Sequence, residues 1–383
     1  MTAPTHKQAK RIFWRDMKSL CPKWAITRIL EGDLTIRLFN GAEITVLGMD
    51  APDRIEGRSI DGVVCDEQGN MKPEVFNENI RPCLSSLGRP GWAWLIGVPE
   101  GRNHYYQAFK QASRGEDPEW SAHTWFSSEI LDPKEIAQLK KDMDLLTYQQ
   151  EFEGAFIDFS GRAYYAFGDH NIAPVQYCPR EPLIFCFDFN TAPGVAVIVQ
   201  EQTREWHEEE IGPLPAGIPE EFTAIIGEVW IERHSNTERV CAKLVEDWSH
   251  HKDDILLYGD ATGGAKGTAA VEGSDWDLIE SAMERGFPGQ WRNMVANANP
   301  RERVRVNAVN SRCQSVDKTV ALLCSSKYAL KTVEDLEGVT TLEGTNGQLD
   351  KESDKTATHL TDALGYYIED EFPIGGARIE VYT

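Results

Sequence analysis

The stretch that most constrains this chain is Gly62-Val63-Val64-Cys65-Asp66-Glu67, an apolar run that stops at two adjacent carboxylates. A second run, Ala93-Trp94-Leu95-Ile96-Gly97, follows it and ends in Val98-Pro99-Glu100-Gly101. Short apolar runs bounded by polar and turn residues read as buried strands of a parallel sheet. Open α/β sheets bind ligands outside the carboxyl ends of their strands, so the acid pair falls where chemistry is expected. Nucleotide hydrolysis needs one carboxylate for Mg²⁺ and another to orient the attacking water. Asp66 and Glu67 are of the right type for both roles. A strand that simply ends in solvated acids has the same pattern.

Around these runs the first half alternates strand and helix patterns. Residues 5–20 have helical periodicity, and residues 34–39 and 43–47 flank Asn40-Gly41 as a hairpin. Helices are expected at 73–87, 103–112 and 133–143, and a short strand at 123–126. A Gly-, Pro-, Asn- and aromatic-rich stretch between 161 and 182 marks a domain boundary. A second α/β unit follows. Strands are expected at 183–189, 194–200, 222–232, 254–260 and 320–324, the first two antiparallel. Helices are expected at 236–250, 275–284, 301–316, 327–337 and 358–369, which gives a mixed sheet.

A chain of 383 residues holds two or three domains. No apolar run approaches the ~18 residues of a membrane span, and residues 1–7 lack a secretory h-region. The eight scattered cysteines form no CxxC pair and read as reduced, buried thiols of a cytosolic protein. A net charge of −22 argues against coating nucleic acid by bulk positive charge. It leaves room for an enzyme that needs clustered acids.

Such a cluster is available in the second half. Asp188 and Asp260 end expected strands, and Asp362 lies on an expected helix beside Leu360, Ala363 and Leu364. Two-metal phosphodiester hydrolysis needs carboxylates converging on ions roughly 4 Å apart, and hard oxygen ligands suit Mg²⁺ or Mn²⁺. Glu228, inside an expected strand, is a possible fourth ligand or an outward-facing residue. Aspartates that never meet remain the alternative. Gly259 to Thr268 is glycine-rich but misses the G-x-x-x-x-G-K-[ST] spacing, so it reads either as a mobile loop beside the metal site that touches DNA through Lys266 or as a plain flexible loop. Arg301, Arg305 and Arg312 share a helical face suited to phosphate contacts or to plain solvation.

Several of these segments, in order, resemble one family. They are Ala3-Pro4-Thr5-His6-Lys7-Gln8-Ala9-Lys10, Gly57-Arg58 ahead of Val63-Val64-Cys65-Asp66-Glu67, Gly97-Val98-Pro99-Glu100-Gly101 and Tyr148-Gln149-Gln150-Glu151-Phe152. In the second half they are Asp188-Phe189-Asn190, Tyr258-Gly259-Asp260 and His359-Leu360-Thr361-Asp362-Ala363-Leu364-Gly365-Tyr366. Together they resemble the large terminase subunit of tailed bacteriophages. The resemblance implies a P-loop-type packaging ATPase followed by an RNase H-like nuclease that cuts concatemeric viral DNA. It implies a partial ATPase domain over 1–167 with a lid-like part at about 113–167, a linker at 168–182 and a nuclease domain over 183–383. Asp66 would bind Mg²⁺, Glu67 would activate water, and Arg58 (or Arg54) would reach a γ-phosphate. Val98-Pro99-Glu100 would couple hydrolysis to movement. Asp188, Asp260 and Asp362 would hold two Mg²⁺ or Mn²⁺ ions. Double-stranded viral DNA, a portal ring and a small terminase subunit would be the partners, in the cytoplasm of an infected or lysogenic host.

The chain departs from the family in one respect. The family's phosphate loop lies upstream of the Ala-Pro-Thr-His-Lys-Gln segment, and here Met1 falls almost on that segment. Without that loop nothing cradles the β- and γ-phosphates, so ATP hydrolysis by this chain alone is expected to be poor or absent, and an edge of the sheet is expected to be exposed. The alternative from a different class is a non-catalytic assembly module that docks on the portal and the small subunit.

Overall fold

In the computed structural model, residues 1–86, 88–99, 103–157, 161–189, 193–215, 217–264, 274–342, 345, 347–354 and 356–374 are described. The chain forms two compact units, Met1–Trp125 with Gly154–Ile157, and Phe126–Glu153 with Asp158–Thr383.

The first unit is built on a parallel sheet of β1 (Thr2–Ala3), β2 (Leu47–Gly48), β3 (Gly62–Cys65) and β4 (Trp92–Leu95), ordered β2-β1-β3-β4. β3 pairs on both sides, and Val63 and Cys65 are buried against Met49, Ile55, Val75 and Ile80. β4 differs from the expected buried strand. Among the described residues it pairs only with β3, and Trp92 and Trp94 are 53% and 64% exposed. Trp92 and Trp94 alternate with the half-buried Ala93 and Leu95, so they share the face of the sheet that is left uncovered at β4. The expected hairpin forms and gains a third strand, Ile26–Leu30, beside Thr35–Leu38 and Glu43–Thr45. Residues 121–126 form no ladder, so the expected strand there does not exist. Helix α1 (His104–Ser113) starts at Asn103, whose side chain accepts from the backbone of Tyr105 and Tyr106.

The second unit holds α2 (Pro133–Asp142), α3 (Leu145–Glu153) and a seven-stranded mixed sheet. Its strands are β5 (Ile172–Ala173), β6 (Leu183–Asp188), β7 (Gly194–Thr203), β8 (Glu221–Ile231), β9 (Ile255–Gly259), β10 (Trp291–Asn293) and β11 (Leu322–Ser325). Their order is β5-β11-β8-β7-β6-β9-β10. β6 and β7 pair antiparallel, as expected, β8 continues antiparallel to β7, and β9 pairs parallel with β6. Side chains alternate across the sheet, so each central strand feeds two cores. Leu183, Phe185 and Phe187 pack towards α4 (Thr237–Trp248) and α5 (Asp275–Gly286). Ile184, Cys186 and Tyr258 pack towards α6 (Glu302–Cys313), α7 (Leu330–Gly338) and α8 (His359–Glu371). This second layer carries the site.

The compact units divide the chain differently from its composition. Residues 126–153 belong with the second unit, and within the expected linker Ile172–Ala173 pairs with Cys324–Ser325. Irregular backbone can be buried when its polar groups find partners, which Gly and Pro content does not reveal. Asp144 is one such anchor. It is fully buried, its Oδ1 accepts from Thr147 N at 3.0 Å, its N–H donates to Ser311 Oγ at 3.1 Å, and burial raises its pKa. Asp144→Ala is expected to cost ~1–2 kcal/mol, the range of a lost helix cap, measured by chemical denaturation. All eight cysteines are free, and all except Cys21 are buried.

Candidate functional site

The sheet itself brings two of the three expected aspartates together. Phe187 and Gly259 are register partners on the parallel strands β6 and β9, so Asp188 and Asp260 stand side by side at their carboxyl ends. Both continue the Ile184–Cys186 and Tyr258 parity, so both lie on the face covered by α8. The close approach depends on Gly259, because a Cβ there would sit 2.5 Å from the Phe187 carbonyl oxygen.

Each carboxylate has a distinct environment. Asp260 Oδ1 accepts from Thr262 N and Oγ1, each at 2.6 Å, and from Asn299 Nδ2 at 2.7 Å. Burial pushes its pKa up, but these hydrogen bonds and the Arg305 charge outweigh it and hold the carboxyl below its ordinary value. Asp188 Oδ2 meets His359 Nδ1 at 2.9 Å. Asp362, on the first turn of α8, is buried, with Oδ1 3.1 Å from Arg305 and Oδ2 2.8 Å from Lys351. Lys351 also reaches Glu302 at 3.2 Å.

Tyr366 ties the group together. Its ring lies 4.2 Å from the Arg305 guanidinium carbon. Its phenol is pushed up by burial and by the charges of Asp260, Asp188 and Asp362, with Arg305 opposing, so it feels all three carboxylates. No group of three His, Cys, Asp or Glu among the described residues is arranged to hold a metal ion. The aspartates therefore share one neighbourhood, while Asp362 is engaged by the protein's own cations.

Backbone strain accompanies the site. Thr358, just before α8, has φ 81°, a conformation costly for a β-branched residue. Its carbonyl accepts from Asp362 N at 2.6 Å. Strain of this kind persists where the surroundings over-determine it.

Near His359 lies Asp335 on α7, buried, with its Oδ2 lacking a hydrogen-bond partner among the described residues. Burial raises its pKa to about 7, and the nearby His359 opposes the shift. The folded state then binds more protons than the unfolded one between pH ~4 and ~7, so stability falls as pH rises through that window and is flat above it. Melting curves from pH 4 to 8 are expected to show this decline, and Asp335→Asn to remove it.

The other expected site residues fall elsewhere. Arg305 and Arg312 do not form a solvated DNA-facing stripe. The first is buried on Asp362, and the second pairs with Glu201 at 3.3 Å and stacks 3.8 Å from Phe372. Ala308 and Val309, between them on the same face, are buried and carry both arginines inward. Arg301 is exposed, just ahead of α6. Glu228 is not an open ligand, because its carboxylate caps α7 through Lys331 N at 2.8 Å and Thr332 N at 2.7 Å. Lys266 and Glu100 lie outside the described residues.

In the first unit, Asp66 and Glu67 sit half-buried at the end of β3. Asp66 N donates to Thr2 O at 2.9 Å, and burial raises its carboxyl pKa. Glu67 has φ 52°, which turns the chain sharply after the strand. Burial, then the charges of Glu67 and Asp66, raise the Tyr105 phenol, so α1 lies against the pair. Arg54 and Arg58 are both exposed.

No family model matches the chain. The large terminase of a thermophilic bacteriophage superposes with TM-score 0.56 at 16% identity, covering 97% of this chain and 85% of that one. The same protein in complex with ATP-gamma-S gives TM-score 0.56 at 16% identity, covering 96% and 84%. The chain is thus a mixed α/β protein with the large-terminase fold. In sequence, it is 39% identical over 66 residues to the terminase large subunits of Thermus phage G20c and Thermus virus P23-45, a match that spans 17% of this chain and only 13% of either relative.

Proposed function

We propose that this chain is the large subunit of a phage DNA-packaging terminase and that its second unit cuts double-stranded DNA with a divalent cation. The observation that carries the reading is the pair Asp188 and Asp260 at adjacent strand ends on one face, under α8. Their hard oxygens fit Mg²⁺ or Mn²⁺, and Asp260 Oδ2 accepts no hydrogen bond among the described residues. Asp362 fits such an ion poorly, because both of its oxygens face cations. A bound ion would lower the pKa of water and offset charge on the phosphoryl group. The protein's own part is to aim Asp260 through Thr262 and Asn299, to hold Asp188 against His359, and to present the Arg305 charge within the site. Supercoiled plasmid is expected to become nicked with Mn²⁺ and to stay intact with EDTA. Intact plasmid under every divalent metal sinks the reading.

The first unit resembles a nucleotide-hydrolysing sheet through Asp66 and Glu67, and the thermophilic-phage large terminase was solved with ADP and with ATP-gamma-S. The sequence contains no G-x-x-x-x-G-K-[ST] loop. Phosphate release from ATP by this chain is therefore expected to stay at background. A rate that falls on Asp66→Asn would overturn that expectation.

Viral DNA, a portal ring and a small terminase subunit are the proposed partners, and the host cytoplasm is the proposed location. No helix among the described residues is long and apolar enough to cross a membrane. The second reading, a docking module without catalysis, draws support from the exposed Trp92, Trp94 and Trp125. Binding of portal protein with no cutting would favour it.

A further inference from the structure

The arrangement around Asp362 bears on how many ions the site takes, and the inference rests on the nuclease reading above. Two-ion hydrolysis needs carboxylate oxygens open to both ions. Asp362 Oδ1 lies 3.1 Å from Arg305 and Oδ2 2.8 Å from Lys351. The Arg305 and Asp362 side chains are each only 8% exposed.

Three features hold this clamp in place. Arg305 lies against Tyr366, 4.2 Å from the ring centre. Gly365, one turn beyond Asp362, lets α6 come close, since a Cβ there would lie 3.3 Å from Arg305 Cβ. Arg305 Nε is buried with no acceptor among the described residues, so the guanidinium would lose its main charge partner if Asp362 turned to an ion. Lys351 is shared with Glu302 at 3.2 Å, which fixes the second cation from its other side.

We propose that Arg305 and Lys351 stand where a second ion would act, so that the site takes one divalent cation, on Asp188 and Asp260. Asp362 then anchors two fixed positive charges beside the reacting phosphate and is a positioning residue.

The test is the Mn²⁺ stoichiometry of the full chain, by calorimetry and by electron paramagnetic resonance of free Mn²⁺. One ion is expected for the wild type, lost or weakened at least tenfold in Asp188→Asn and retained within about threefold in Asp362→Asn. Two ions in the wild type, one of them lost in Asp362→Asn, would overturn the clamp and leave the nuclease reading standing. No bound Mn²⁺, or binding indifferent to Asp188→Asn, removes the nuclease site and the clamp with it. If Asp362→Asn fails to fold, the wild-type count decides alone.

Discussion

Asp260→Asn is expected to cut Mn²⁺-dependent nicking at least about 100-fold while leaving the melting temperature nearly unchanged. Loss of a residue that merely orients a metal ligand costs ~10–100-fold, and loss of a ligand costs at least as much. The substitution is conservative for the fold. The asparagine carbonyl still accepts from Thr262 and Asn299, the donors that now bind Oδ1 at 2.6–2.7 Å. Its amide then replaces Oδ2 with a donor, and the charge beside Asp188 is lost. Single-turnover cleavage across a Mn²⁺ series, with a thermal melt of each protein, separates the two effects. Wild-type rates in this variant would refute the site assignment.

Asp362→Ala is expected to destabilise the second unit by ~3–5 kcal/mol, the cost of leaving one member of a buried ion pair alone. The stranded group is Arg305, which has an 8% exposed side chain and no acceptor for Nε among the described residues. Arg305→Met combined with Asp362→Ala is expected to recover part of that loss, because neither charge is then buried unpaired. Urea denaturation of both singles and the double gives the coupling. Additive losses would mean that the pair contributes only through packing.

The elements of the second unit are legible because hydrophobic period and length agree. The runs ending at Asp188 and Asp260 are buried on both faces, and each strand forms where the pattern puts it. The site is legible in part. Asp188 and Asp260 stand out as acids that end apolar runs, and Asp362 as an acid set among apolar helix residues. His359, Lys351 and Tyr366 do not, because a lone polar residue near an element end carries no signal of what it faces. Arg305 reads as part of a phosphate-facing or solvated stripe, although Ala308 and Val309 share its helical face and mark that face as the buried one. Trp94 reads as core, since an apolar run does not tell whether both faces of its strand are covered.

By itself, the sequence determined the main strands and helices of the second unit, and the acids that end two of its strands, because side-chain period and burial follow from local composition. Only the tertiary structure decided that β9 lies beside β6, that α8 covers the face bearing Asp188 and Asp260, and that Asp362 answers to Arg305 and Lys351. Those are pairings between residues far apart in the chain. They are chosen by which faces can be buried together and which charges can be neutralised there, and no local pattern encodes that choice.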